Sequence, residues 1–158
     1  MHNPVSLVQI ATSQVCLVCQ VFHMKVFPPL LKELLEDDSI LKVGVGVRGD
    51  GWNVQRDYNV AVKCVFDLNM ITRGSLEDIA CRVIPGKQTW KNIRITTSNW
   101  ERTELTDEQL AYAARDAFAG HDAFYAAFAK YGTPGNGKTP LQWATQVASQ
   151  QRNSFRIK

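Results

Sequence analysis

Residues 106–128 read TDEQLAYAARDAFAGHDAFYAAF, and the longest regular element expected of this chain begins here. Thr106 followed three residues later by Gln109 has the form of a capping box, which predicts a helix start. The Ala- and Leu-bearing sequence beyond it favours continuation of that helix. Tyr112 and Asp116 are four residues apart, so the helix projects them from one side, a turn from each other. A phenol and a carboxylate aimed at one point can hold a metal ion and orient a water beside it. The same spacing also describes a core tyrosine next to a solvated aspartate, so the pair needs support from elsewhere in the chain.

The 158 residues suffice for one domain with a sizeable core. Hydrophobic residues make up 45% and charged residues 21%, an ordinary globular balance. No apolar run approaches the ~20 residues of a membrane span. The N-terminal MHNPVSLVQIATSQ has neither a basic start nor an unbroken apolar block, so no signal peptide is expected. Cys16, Cys19, Cys64 and Cys81 suggest no disulfide framework and point to a reducing compartment. A net charge of +3 is too small by itself to argue for nucleic acid, but its distribution is uneven. Residues 82–102 carry Arg82, Lys87, Lys91, Arg94 and Arg102 against the single acid Glu101, and they include Trp90 and Trp100. Such a stretch is suited to phosphates and bases, or is a solvated loop.

Working outward along the chain, residues 5–11 (VSLVQIA) and 15–22 (VCLVCQVF) read as two strands joined by a short polar turn, an antiparallel hairpin. Cys16 and Cys19 form a C-x-x-C, but in a strand residues three apart face opposite sides, so the pair is expected to be core cysteine and not a chelate. Residues 28–35 read as a proline-opened helix with a leucine stripe. Residues 41–47 read as a strand, 50–58 as a short helix, 64–68 as a strand and 76–84 as a helix ended by Pro85-Gly86. Residues 87–100 are loop-like, and the long helix runs over 106–131. Residues 132–139 (GTPGNGKT) read as a linker, and 140–152 as a last helix before a basic end at Lys158. The expectation is an α/β domain over 1–131 with a small mixed sheet, followed by a linker and helical tail over 132–158.

One glycine stretch admits competing readings. Gly44, Gly46 and Gly49 fit G-x-G-x-x-G between a strand and a helix, with Asp67 placed downstream as a ribose-binding acid would be. That is the pattern of a dinucleotide site. Two strands and a helix already precede it, however, and no second mononucleotide-binding half follows. The alternative puts the chemistry on Asp50, where glycines give the backbone room at a helix start. A third possibility is that Asp50 is only a helix N-cap.

These residues together resemble the DEDDy-type 3′–5′ exonuclease domain of Werner-syndrome-type proteins and ribonuclease D, over roughly residues 5–128. VSLVQIAT resembles the family's second strand, and GVGVRGDGW its second motif, with the motif's aspartate at Asp50. KNIRITTSNW resembles the approach to the third motif, and LTDEQLAYAARDAFAG that motif itself, with its tyrosine at Tyr112 and its aspartate at Asp116. The resemblance implies a ribonuclease-H-like mixed sheet flanked by helices. It also implies hydrolysis of terminal phosphodiesters in DNA or RNA with two Mg2+ or Mn2+ ions. Tyr112 would orient the attacking water, while Asp50 and Asp116 would bind metal. Lys87, Lys91 and Arg94 would contact phosphates, and Trp52 would pack near the terminal nucleotide. A nuclear location follows from the Werner-type likeness, with the cytoplasm as the alternative.

The family's first motif, an Asp-x-Glu on a central strand, has no counterpart here, since no Asp or Glu precedes Glu33. Two of four expected carboxylates are therefore absent, and the chain is expected to be weak or inactive. Loss of the central first strand is expected to leave the two strands that would flank it with unpaired edges. A truncated active enzyme, a partner chain or parent domain that supplies the strand, and a non-catalytic pseudo-exonuclease that binds nucleic acid or protein all fit this pattern.

Overall fold

The computed structural model describes residues 3–132 and 137–154. Residues 133–136 of the expected linker and the basic end of the chain lie outside them. The elements in order are β1 (Val8–Ala11), β2 (Cys16–Cys19), α1 (Pro29–Glu36), β3 (Lys42–Gly44), α2 (Val47–Tyr58), β4 (Val65–Asp67), α3 (Leu76–Val83), α4 (Ile93–Thr96), α5 (Asp107–Tyr131) and α6 (Pro140–Ser154). β1 and β2 form an antiparallel pair with Val8 opposite Cys19. β3 and β4 form a parallel pair with Val43 opposite Phe66. Among the described residues no ladder joins the two pairs, so the expected mixed sheet is present as two halves. α5 packs across both, against β1 and β2 of one and β3 of the other.

Two cores hold the layers together. Phe66 and Leu68 meet Ile79, Ala80 and Val83 of α3, Ala123, Phe124 and Ala127 of α5, and Trp143 and Ala144 of α6. Cys19, Val21, Leu31, Leu35, Val54 and Val60 form the second, which joins the hairpin to α1 and α2. Helices therefore flank both sides of a reduced sheet, the ribonuclease-H-like arrangement. Burial of these apolar side chains is the main favourable term, at ~25 cal/mol per Å2 removed from water. The C-terminal helix joins the first core through Trp143, whose ring lies 5.8 Å from Phe66 and 5.5 Å from Phe128.

Several elements are shorter than their sequence patterns suggest, each for a visible reason. The strand expected from Val5 begins only at Val8, because the Val5 N–H donates to Asp57 Oδ2 at 2.8 Å and its carbonyl accepts from the Tyr58 hydroxyl at 2.5 Å. The second strand ends at Cys19, after which residues 21–23 turn as a 3₁₀ segment. That turn is anchored by His23 Nε2 at 2.8 Å from the Glu101 carbonyl and by Gln20 Nε2, which donates to the Arg102 carbonyl at 2.9 Å. Cys16 and Cys19 are free thiols, as expected of a strand pair facing opposite ways. Their pKa values are raised by burial.

Helix α2 starts three residues earlier than its pattern predicts. Gly46 occupies the cap with φ 75°, a left-handed conformation in which glycine carries no Cβ penalty. Gly44 is equally required, since a Cβ there would lie 2.6 Å from Val47 Cγ1. Asp50 is therefore not the N-cap. It sits inside the first turn, near the positive end of the helix.

Candidate active site

The site is built on one face of α5. Its capping box is complete: the Gln109 N–H donates to Thr106 Oγ1 at 3.2 Å, and the Thr106 N–H donates to Gln109 Oε1 at 3.0 Å. Gln109 is also buried, and its Nε2 donates to Ser98 Oγ at 2.9 Å and to the Asn99 carbonyl at 3.0 Å. One side chain thus starts the helix and fastens the preceding loop to it. Tyr112, Asp116 and Gly120 follow at successive turns of the same face. At Gly120 the helix lies directly on the end of β3, where a Cβ would be 3.6 Å from the Val43 carbonyl oxygen and 3.7 Å from Gly44 Cα. Asp116, a turn earlier, is thereby carried toward the end of β3, where α2 begins.

Asp116 is half-buried, and its Oδ1 accepts the indole N–H of Trp90 at 2.8 Å. Burial raises its pKa, the indole hydrogen bond lowers it, the like charge of Glu77 raises it, and Arg115 lowers it. Trp90 is itself held from behind. Glu77 Oε1 accepts the backbone N–H of Trp90 and that of Lys91, the latter at 2.6 Å. Lys87 Nζ lies 5.2 Å over the Trp90 ring. Tyr112 receives a long hydrogen bond of 3.5 Å from Thr96 Oγ1, and its ring lies 6.4 Å from that of Trp100. Trp90 and Trp100 therefore turn inward onto the α5 face. Lys91 and Arg94 remain exposed on the same loop, Arg94 within the one-turn helix α4.

Asp50 has different surroundings. It is solvent-accessible at the head of α2, yet its pKa is raised, first by partial desolvation and then by the like charge of Asp67. Asp67 closes the turn between β3 and α2. Its Oδ2 accepts the Gly46 N–H at 3.0 Å and its Oδ1 accepts the Asn69 N–H at 3.0 Å. The amide that a dinucleotide pyrophosphate would use, and the acid that a ribose would use, are thus bonded to each other. Trp52 lies two residues beyond Asp50, turned by about 200° around the helix axis, so the two occupy opposite sides of α2. Trp52 is 71% exposed and lines a separate cavity.

The structure brings Tyr112 and Asp116 together with the loop that carries Lys87, Lys91 and Arg94. The charge acting on Asp50 is Asp67, whereas those acting on Asp116 are Glu77 and Arg115. Among the described residues no group of three or more His, Cys, Asp or Glu side chains could hold a metal ion. A pair of divalent ions needs more oxygen ligands than Asp50 and Asp116 offer, so these residues alone do not fit a two-ion centre. Sequence inspection missed Trp90 and Glu77 as partners of the site. Their link is long-range, and no local spacing signals it.

Comparison with known proteins agrees with this architecture. Residues 2–128 match the family model described as 3′-5′ exonuclease. The chain is 38% identical over 133 residues, 75% of its length, to the mouse (Mus musculus) bifunctional 3′-5′ exonuclease/ATP-dependent helicase WRN. It spans less than half the length of the curated relatives it matches, and 9% of this one. A nuclease solved in its apo form has a TM-score of 0.71 at 18% identity, covering 98% of this chain and 77% of that chain, a likeness of fold alone. The EXD2 exonuclease domain, solved from crystals soaked in Mn and GMP, is 29% identical over 80% of this chain and 71% of that chain, with a TM-score of 0.42. The family match over residues 2–128 defines a 3′–5′ exonuclease-type domain. The chain belongs to the 3′-5′ exonuclease family related to WRN, EXD2 and ribonuclease D. No helix among the described residues is long and apolar enough to cross a membrane.

Proposed function

We propose that this chain is the core of a DEDDy-type 3′–5′ exonuclease whose described residues bind a nucleic-acid end better than they cleave it. The observation that carries this is the α5 face. Tyr112 and Asp116 share a stripe, and the basic loop is folded onto that stripe through Trp90. Lys87, Lys91 and Arg94 would meet backbone phosphates there. Asp116 and Asp50 are the carboxylates suited to Mg2+ or Mn2+, and Tyr112 is the group suited to orient water. The donor set is incomplete, so hydrolysis by the 158-residue chain is expected to be weak or absent. The two half-sheets, both resting on α5, suit an additional strand from a parent domain or partner chain. An acidic strand would add both pairing and carboxylates. The second reading, a pseudo-exonuclease that binds without cutting, is favoured by the same lack of a three-carboxylate group.

The test is cleavage of 3′-recessed DNA and single-stranded RNA by the purified chain in Mg2+ or Mn2+, with and without an Asp-x-Glu strand fused upstream. The expected result is little cleavage alone and robust cleavage with the strand, abolished in Asp116→Ala. Robust cleavage by the chain alone overturns the proposed inactivity. Binding without cleavage in both forms establishes the pseudo-exonuclease instead. A nuclear location is part of the proposal and is checked by imaging a tagged chain.

A further inference from the structure

We propose that Asp116 is the anchor of the basic loop over residues 87–100, a positioning role that this acid fills without a metal ion. The donor set of the described residues does not fit a two-ion centre, and the bonds that Asp116 does make assign it other work.

The loop has little structure of its own. Residues 87–92 are irregular, and α4 adds a single turn. Contacts with the elements behind it must therefore hold its cations in place. Trp90 is where it is gripped. The backbone N–H groups of Trp90 and Lys91 donate to Glu77 Oε1, in the first turn of α3. The indole N–H donates to Asp116 Oδ1 at 2.8 Å, and Lys87 Nζ lies 5.2 Å over the ring. Both acceptors stand on firm ground. The Ser75–Asp78 capping box closes the start of α3, and α5 rests on β3 at Gly120. Trp90 thus ties the loop to two helices, and exposed Lys91 and Arg94 follow directly from that fixed point.

The chemistry of the bond separates two roles of one acid. An indole N–H only donates, so Trp90 needs an acceptor oxygen at this place and not a charge. An asparagine amide keeps that oxygen. It lacks the charge that a divalent ion requires of its ligands. Glu77 likewise serves as an acceptor for two backbone donors, so a glutamine can replace it there. The inference rests on the proposed nucleic-acid binding by the loop and names what positions it.

The test uses the whole chain in EDTA, so that neither metal nor cleavage plays a part. Anisotropy of a labelled single-stranded oligonucleotide gives affinity, and the Trp90 indole N–H resonance, assigned by its loss in Trp90→Phe, reports the bond. Asp116→Ala is expected to weaken binding roughly tenfold, the worth of the two exposed loop cations together, and to lower the salt slope by about two phosphate contacts. The indole resonance should then move to the position of a solvated tryptophan. Asp116→Asn is expected to bind like the wild type and to keep the resonance in place. Glu77→Ala is expected to copy Asp116→Ala, and Glu77→Gln to restore binding. Thermal melts identify the variants that fold, and the glutamate pair carries the comparison if Asp116→Ala does not. Mg2+ alone, added to the wild-type chain, is expected to leave the indole resonance unmoved.

Wild-type affinity in Asp116→Ala overturns the anchor while leaving nucleic-acid binding intact. Equal weakening in Asp116→Asn and Asp116→Ala overturns it too, since charge and not the acceptor would then be what counts. Displacement of the indole resonance by Mg2+ overturns the metal-free role. A wild-type chain that binds no oligonucleotide overturns both this role and the proposed binding.

Discussion

Asp116 and Asp50 make an instructive pair. Both carboxyls have raised pKa values, and both are the acids that the family resemblance selects, yet their settings differ. Asp116 is half-buried and gripped: an indole N–H satisfies one oxygen, and Glu77 braces that indole from behind through the loop backbone. Asp50 is open to solvent and has a like charge, Asp67, as its electrostatic neighbour. The protein has fixed the orientation of one acid, while the pKa of the other is raised first by partial desolvation and then by that like charge. The α5 side is thus preorganised by the chain, whereas the Asp50 carboxyl on the α2 side is left exposed.

The contrast is broken most severely at Trp90. Trp90→Phe keeps the ring but deletes its donor, leaving a half-buried carboxylate oxygen unsatisfied. A loss of about 2 kcal/mol in urea denaturation is expected. Equal stability of wild type and variant would show that the indole bond does not hold Asp116. Next in size is the exposed charge on the loop that Trp90 pins. Lys91→Ala and Arg94→Ala are each expected to weaken oligonucleotide binding by about 1 kcal/mol or less, uniformly across sequences, with a shallower salt dependence. Anisotropy titrations at several salt concentrations measure this.

The smallest effect is expected at Asp50 and depends on pH. Its folded pKa is raised, so its contribution to stability is fully present below the unfolded pKa and is lost as pH rises through the folded value. Asp50→Asn should therefore melt slightly above the wild type at neutral pH, and the gap should close in acid, where wild-type Asp50 is protonated. Thermal melts across that range check the sign, and a lower melting temperature at neutral pH would contradict it.

Much of this architecture was legible in local sequence, and the illegible parts share a cause. The Thr106–Gln109 box forms both of its hydrogen bonds because its partners are three residues apart. The opposed cysteines of β2 follow from strand alternation alone. The onset of α2 was misplaced because Gly46 starts it through backbone conformation, and no side-chain acceptor marks the position. α4 was hidden for a similar reason: it is a single turn capped by Asn92 within a polar loop. Trp90 and Trp100 sit in a basic stretch that suggested base stacking, yet they serve the helix behind them. Their partners, Asp116 and Tyr112, are far along the chain. Unpaired edges beside the absent first-motif strand were expected, whereas the division into two separate pairs and the inward grip on Asp116 were not.

Gln109 has a final consequence. A single amide group closes the first turn of α5 and also binds Ser98 and Asn99, so unwinding at that helix end and release of the loop are one event. Amide protons at the start of α5 and in residues 98–99 should then exchange with solvent at matched rates, as one cooperative opening unit. Any ligand that clamps the loop would slow exchange in the helix as well, reporting occupancy from a position it never touches.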